Sequence, residues 1–386
     1  MRILFAGSKT QQMLGPVYAL HRLGHEIAMY PLPLEKIEGD EEQERQLETF
    51  LKNAKVDFVL AVVFSREVAR ATNRLGMRYA VWSMDSPSLP AWTPEAEYDN
   101  CYLFYFDRRE YELKKRIGQR NAYHLPLASD VVTGEQLVIT DEEIQRCGCD
   151  MSFVGGLYTK NLYDDVIDRF SMELQEDFTE IIEQCAFMWD GQDRMNISSE
   201  QVRTVLESCP GAFGRYYKMP DEYLVRTFFM ERKLTHVERT IMMELLSEQF
   251  NIHLYTRDTE IVPEGVRRFP EIPTEDALKI FYSSKINLNI TLRSIASGVP
   301  ARVFEIMSVG GFVLSNWQEE IPELFVEDKE IVTYKTPEEL VDKADYYLKH
   351  EDKRVKIGVN GYRKVKAQHT YEQRMQKIIS VIQGKE

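Results

Sequence analysis

The chain has 386 residues, 44% hydrophobic and 28% charged, which excludes a disordered or collagen-like protein and leaves room for two or three globular units. Its 48 Lys and Arg stand against 62 Asp and Glu, and a net charge of −14 disfavours nucleic acid and anionic membrane as bulk partners. The longest unbroken apolar runs, such as residues 58–64, are too short to span a bilayer.

Residues 2–6 read as a strand, followed by a turn at Gly7-Ser8-Lys9-Thr10 and a helix over 13–23 that Gly24 stops. A second strand at 26–30 is closed by Pro31 and Pro33, and the acidic stretch 40–52 is a helix whose charges form a solvated face. The β-branched run 58–64 suits a central parallel strand covered on both faces. A helix (67–75), two strands (79–82 and 101–106), a helix (108–117) and a strand (122–125) complete a doubly wound first domain, placed at 1–128. The polar stretch 129–149, with a capping-box pattern from Thr140 to Glu143, reads as an interdomain connection.

The second domain, 150–368, opens with a strand at 151–154 running into Gly155-Gly156. Residues 162–248 are helical in pattern, with breaks near 189–199 and 210–220, too long for one crossover and therefore a helical insertion. Strands at 251–255, 285–290, 311–315 and 330–334 alternate with helices at 274–283, 302–308 and 338–349. Two further helices (352–366 and 370–383) end the chain, the final segment 369–386 being assigned a return to the first domain. Two facing domains of this class share one ligand cleft at the carboxyl ends of their strands.

The densest polar constellation runs from Asn287, Asn289, Thr291 and Arg293 through Gly298 and Arg302 to Glu305. A strand ends in polar residues, a glycine-containing loop follows, and a short helix starts near Arg302. Helix-start amides and a guanidinium fork suit a phosphate, and Glu305, one turn on, suits the adjacent hydroxyls of a ribose. A surface loop with a capped helix fits the same spacing. Gly155 and Gly156 offer a second close backbone approach, with Lys160 nearby, although a tight turn explains the pair equally. The chain lacks the glycine fingerprints of dinucleotide folds and P-loops at this point. Arg257, just past the strand at 251–255, is grouped with these donor-side residues.

On the first domain, Asp85 lies beyond a strand end, where it serves as a general base toward an acceptor hydroxyl or as an Asx turn before Pro87. His124 reads as a core histidine. Thr235 and Glu238 read as a capping box opening a helix, with Arg239 within reach of a phosphate. Five scattered cysteines (Cys101, Cys147, Cys149, Cys185 and Cys209) read as reduced thiols; only Cys147 and Cys149 approach metal-ligand spacing. No metal site is expected, and the short apolar start is too poor for a signal peptide, so a cytoplasmic location is expected.

Several of these segments are similar to the CgeB-like, spore-maturation type glycosyltransferases: residues 289–295, 298–302, 310–316, 319–325 and 369–374, together with 82–87, 124–128 and 153–155. The resemblance implies a GT-B fold of two Rossmann-like domains and a UDP-sugar donor held mainly by the second. It implies transfer of a glucose or N-acetylglucosamine type sugar to a hydroxyl of a protein or glycan, without metal or other cofactor. It also implies ribose binding by Glu305, diphosphate contact by Arg302, and a last helix crossing back to the first domain. Many retaining relatives carry a second Glu eight residues before the first, where this chain has Ser297. An epimerase on the same fold and a catalytically silent nucleotide-sugar-binding scaffold are the alternatives.

Overall fold

The described residues of the computed structural model are 1–7, 11–32, 41–214, 216–259 and 262–385, without the side chains of 11–13, 43, 274 and 275. Ser8, Lys9 and Thr10 of the expected turn, Pro33, and the helix start at Asp40 lie outside the described residues.

The first sheet contains β1 (Arg2–Ala6), β2 (Glu26–Tyr30), β3 (Phe58–Ala61), β4 (Arg78–Trp82), β5 (Cys101–Tyr105) and β6 (Ala122–His124) in the order β2-β1-β3-β4-β5-β6. The second contains β7 (Met151–Val154), β8 (Ile252–Tyr255), β9 (Arg267–Phe269), β10 (Ile286–Asn289), β11 (Val313–Asn316) and β12 (Val332–Tyr334) in the order β12-β11-β10-β7-β8-β9. Every pairing is parallel. Parallel strands need helices on both faces, which explains why Phe58–Ala61 is entirely buried. Chain order reverses beside β1 in one sheet and between β7 and β10 in the other, and the crevice at such a switch point is where these folds bind ligands.

The interdomain connection is more ordered than its polarity suggests. It folds into helices Val131–Glu135 and Asp141–Cys147, the second started by the Thr140–Glu143 capping box. The insertion comprises Leu162–Val166, Met172–Cys185, Ser199–Ser208 and a continuous helical run from Asp221 to Ser247 that passes through a π-helical segment, Arg226–Glu231. Thr235 and Glu238 are therefore mid-helix residues and not a cap: the Thr235 hydroxyl donates to the Glu231 carbonyl, and Glu238 pairs with Arg293.

Among the described residues, the ties that join the domains include these three. The insertion lays Met219, Tyr223 and Leu224 against Trp92, Leu89 and Leu113 of the first domain, and the Tyr217 N–H donates to the Trp92 carbonyl at 2.8 Å. The last helix, Tyr371–Ile382, packs on Gln11–Arg22 of the first domain, with Tyr371 edge-on to Trp82 at 5.7 Å. Arg374 anchors it by donating to the Pro126 carbonyl at 2.7 Å and the Leu127 carbonyl at 3.1 Å. The third tie is the loop 294–298, described below. One apolar cluster accordingly runs through both domains, from Phe5 and Trp82 to Phe304 and Ile378.

The helix Glu351–Gln368 closes the second domain through two glycines. A Cβ at Gly358 would overlap the Gly310 carbonyl oxygen, and one at Gly361 would come within 2.7 Å of the Glu330 carbonyl oxygen. Gly358→Ala is expected to destabilise the protein by about 1–3 kcal/mol through overpacking. Urea denaturation should show a lowered midpoint, while Val359→Ala on the exposed side should leave it within about 0.5 kcal/mol of the parent.

Candidate active site

The switch-point crevice of the second sheet is built from the segments that follow β7 and β10. The Gly155 N–H donates to the Tyr255 carbonyl at 3.0 Å, and Gly156 faces Asp258. Asp258 braces this loop by accepting from the Leu157 N–H at 2.5 Å, the Thr159 hydroxyl at 3.1 Å and the Thr256 hydroxyl at 3.0 Å. Burial works against its anion, but these donors outweigh it and hold its pKa below the usual carboxylate value.

Arg239, from the helix Arg232–Ser247, reaches the ends of β7 and β10. Its Nη1 donates to the Gly156 carbonyl at 2.6 Å and its Nε to the Ile290 carbonyl at 3.0 Å, so one guanidinium bridges the ends of β7 and β10. The rings of Phe153 and Tyr158 lie 5.2 and 5.3 Å from it. The side chain is 8% exposed, and no carboxylate among the described residues forms an ion pair with it. Burial lowers its pKa, the nearby charge of Glu238 opposes that shift, and the like charge of Arg302 adds to it. Arg302 is half-buried on the Phe281 ring at 5.1 Å and pairs with Glu305 at 3.1 Å, one turn along the helix Ala301–Ser308. Glu305 is close enough to Tyr371 for its charge to add to burial in raising the tyrosine's pKa.

In the first domain, Asp85 follows β4. Its carboxylate is exposed, and no described group hydrogen-bonds to it; the Ser83 hydroxyl donates to its main-chain carbonyl. Desolvation by the surrounding protein nevertheless raises its pKa from the ordinary carboxylate value. A water-reachable carboxylate in a recess, raised in basicity and free of a described partner, has the properties of a proton acceptor.

The remaining residues singled out from sequence are placed differently. Gly298 is sealed against the first domain: a Cβ there would meet the Phe106 ring at 2.9 Å and the Asp107 Cα at 3.1 Å. It is not an open phosphate cradle, because Asp107, fully buried, draws the loop in by accepting from the Ala296 N–H at 2.6 Å and the Ser297 hydroxyl at 2.8 Å. Asn289 turns inward, its amide donating to Thr291 Oγ1 at 3.0 Å and Ser315 Oγ at 2.9 Å, so it knits strand ends together. Arg293 is committed to the insertion through an ion pair with fully buried Glu238, a hydrogen bond to the Met188 carbonyl at 3.0 Å, and the Trp189 ring at 5.2 Å. Arg257 is exposed beyond β8. His124 is half-buried, its Nε2 2.8 Å from Glu320 Oε2 across the domain boundary. The five cysteines are free and buried, and among the described residues no three His, Cys, Asp or Glu side chains converge as a metal-binding group.

Sequence reasoning did not anticipate a cavity of about 140 Å³ between the insertion and the ends of β10 and β11. Thr291 and Arg293 line it with Trp189, Arg226 and Trp317, and Arg109 of the first domain reaches it. Its walls come from five distant stretches of chain, so no local motif announces it. Arg257, Arg302 and Glu305 do not line it.

A family model described as glycosyl transferase-like matches residues 232–380. The whole chain shares its fold with GT-B glycosyltransferases of known structure. A glycosyltransferase from Rickettsia africae is 10% identical with a TM-score of 0.56, over 99% of this chain and 98% of that one. Anabaena HepE in complex with UDP-glucose is 10% identical with a TM-score of 0.52, over 100% of both chains. A sucrose-phosphate synthase from Thermosynechococcus elongatus is 10% identical with a TM-score of 0.52, over 100% and 99%. No curated protein matches the chain. Residues 232–380 are thus similar to a glycosyl transferase-like family, and the two six-stranded parallel sheets form a GT-B fold.

Removing Arg293 would leave Glu238 charged, buried and unpaired. Arg293→Ala is expected to cost about 3–5 kcal/mol of stability, measured by denaturant unfolding. A stable variant would show that the pair does not anchor the insertion.

Proposed function

We propose that this protein is a glycosyltransferase that takes a sugar of the glucose or N-acetylglucosamine type from a UDP-sugar and delivers it to a hydroxyl of a protein or glycan, without a metal ion. The observation that carries the reading is Arg239: a buried guanidinium at the switch point, held by carbonyls and lacking a carboxylate, is a site that an anion completes. Arg302 adds a second positive charge to the same crevice, and Glu305 offers an acceptor for paired ribose hydroxyls. The glycosyl transferase-like match to residues 232–380 and the UDP-glucose complex of Anabaena HepE support the donor class. The motifs quoted above support the narrower CgeB-like type.

In this reading Asp85 takes the proton from the acceptor hydroxyl as its oxygen bonds to the anomeric carbon. The bond from that carbon to the diphosphate breaks, and UDP leaves with the electron pair, its charge met by Arg239 and Arg302. Arg257 and the Gly155-Gly156 loop belong to the donor side of the cleft. Free buried thiols fit a reducing, cytoplasmic setting, and among the described residues no helix is long and apolar enough to cross a membrane.

Calorimetry with UDP in the presence of a chelator tests the donor site. Arg239→Met and Glu305→Ala are each expected to weaken binding by about 1.5–3 kcal/mol, the range for hydrogen bonds to charged groups. Unchanged affinity in both variants contradicts the assignment. UDP binding without turnover on any acceptor would leave a nucleotide-sugar-binding scaffold. The raised pKa of Asp85 gives a further expectation. A base must be ionised, so kcat/KM should fall with falling pH through a limb above the ordinary carboxylate range. Asp85→Asn should lose turnover and that limb together while still binding UDP; full activity would leave Asp85 a turn residue.

A further inference from the structure

Ser297 stands between two carboxylates from different domains. Asp107 caps the helix Arg108–Arg116 in the first domain and is fully buried. Glu320 precedes the short helix Ile321–Leu324 in the second and is 1% exposed. Ser297 Oγ lies 2.8 Å from Asp107 Oδ1 and 2.8 Å from Glu320 Oε1, and the Arg109 N–H donates to it at 3.1 Å.

Oxygen–oxygen separations of this length are hydrogen bonds, and each needs its own hydrogen. A serine hydroxyl supplies one hydrogen and two lone pairs. The Arg109 N–H takes one lone pair, and the hydroxyl hydrogen serves one carboxylate. The other contact closes only if the second carboxyl carries a hydrogen and donates it to the remaining lone pair. With both groups ionised, lone pairs would oppose each other in a buried site, where unpaired charge is costly.

The surroundings provide no substitute hydrogen. Asp107 accepts from the Ala296 N–H at 2.6 Å, from the Arg109 N–H, which it shares with Ser297 Oγ, at 2.9 Å, and from the Ser86 hydroxyl at 3.2 Å. Glu320 Oε1 accepts from the Arg108 N–H at 2.9 Å. His124 Nε2, from β6, faces both Glu320 Oε2 and the Phe106 carbonyl, two acceptors, so that nitrogen carries the hydrogen between them. The guanidinium groups of Arg108 and Arg109 turn outward to Glu323 and Glu319. Glu110, on the same helix, interacts with Lys114, and Tyr223 of the insertion and Tyr111 beside His124 complete the titratable neighbours. Burial raises the pKa of Asp107, the Ser297 hydrogen bond opposes that, and the charge of Glu320 reinforces it.

We propose that Asp107 and Glu320 share one proton through Ser297, and that this proton closes the contact between the first domain and the loop leading into the helix Ala301–Ser308. Asp107 and Glu320 are positioning residues: they hold residues 294–298 and do not meet the donor. The proton binds the closed contact in preference to separated domains, where both carboxyls return to about 4. Closure is therefore most stable near that value, weakens as pH rises until the shared proton is lost, and weakens also at lower pH, where the separated carboxyls take up two protons against the one shared.

Infrared spectra of the full chain in heavy water at neutral pH test this. The parent should show a protonated-carboxyl stretch that Glu320→Gln and Asp107→Asn both lose, separable from that of Glu110, whose carboxyl burial pushes up to about 7 and which Glu110→Gln removes. Amide exchange at Ala296 and Ser297, corrected for its intrinsic rate, should lose about tenfold in protection per pH unit through the titration range, and Glu320→Gln should flatten that dependence. A parent-minus-Glu320→Gln spectrum without a protonated carboxyl, or the same exchange profile in that variant, overturns the proposal. Neither readout involves sugar transfer, so the result is independent of the donor assignment.

Discussion

A buried positive charge hydrogen-bonded to main-chain carbonyls, with no carboxylate in direct contact among the described residues, organises the second domain. Arg239 donates to the carbonyls that follow β7 and β10, the two strands between which chain order reverses. An isolated buried cation costs several kcal/mol unless its hydrogen bonds are met and an anion is near. Main-chain carbonyls satisfy its donors, and in the proposed reading an anionic ligand supplies the missing charge. Beside Arg239 the Gly155-Gly156 turn is braced on Asp258, and Glu238 pairs with Arg293.

The domains are fastened on both sides of the cleft. The insertion grips Trp92, the last helix grips Gln11–Arg22, and Asp107 gathers the loop 294–298. A loop that would otherwise present its amides to a ligand is instead spent on the first domain. The proposed donor site therefore rests on Arg239 and Arg302, which that loop does not engage.

Much of the fold could be read from sequence because parallel strands covered on both faces are continuous apolar runs, and capped helices announce their starts. Arg267–Phe269 escaped because a three-residue edge strand with two arginines has no such run, and Ile321–Leu324 because four residues around a proline show no period. The connection 129–149 looked unstructured although its capping box marked one of its two helices. Within the site, Asp85 and the Arg302–Glu305 pair were legible as a strand end and a helical spacing. The seal at Gly298 was not, since Asp107 reads as an ordinary helix cap and its partner Ser297 lies 190 residues away. Asn289 and Arg293 matched the chemistry of a phosphate site, but folding matched them first to Ser315 and Glu238.

The central claim is that the crevice between β7 and β10 receives the diphosphate of a uridine nucleotide. A crystal structure of the protein with UDP bound tests it most directly. The account places the phosphates against Arg239 and Arg302 with the ribose at Glu305. Density for UDP in the cavity beside Trp189 and Trp317, or anywhere outside the interdomain cleft, would contradict it.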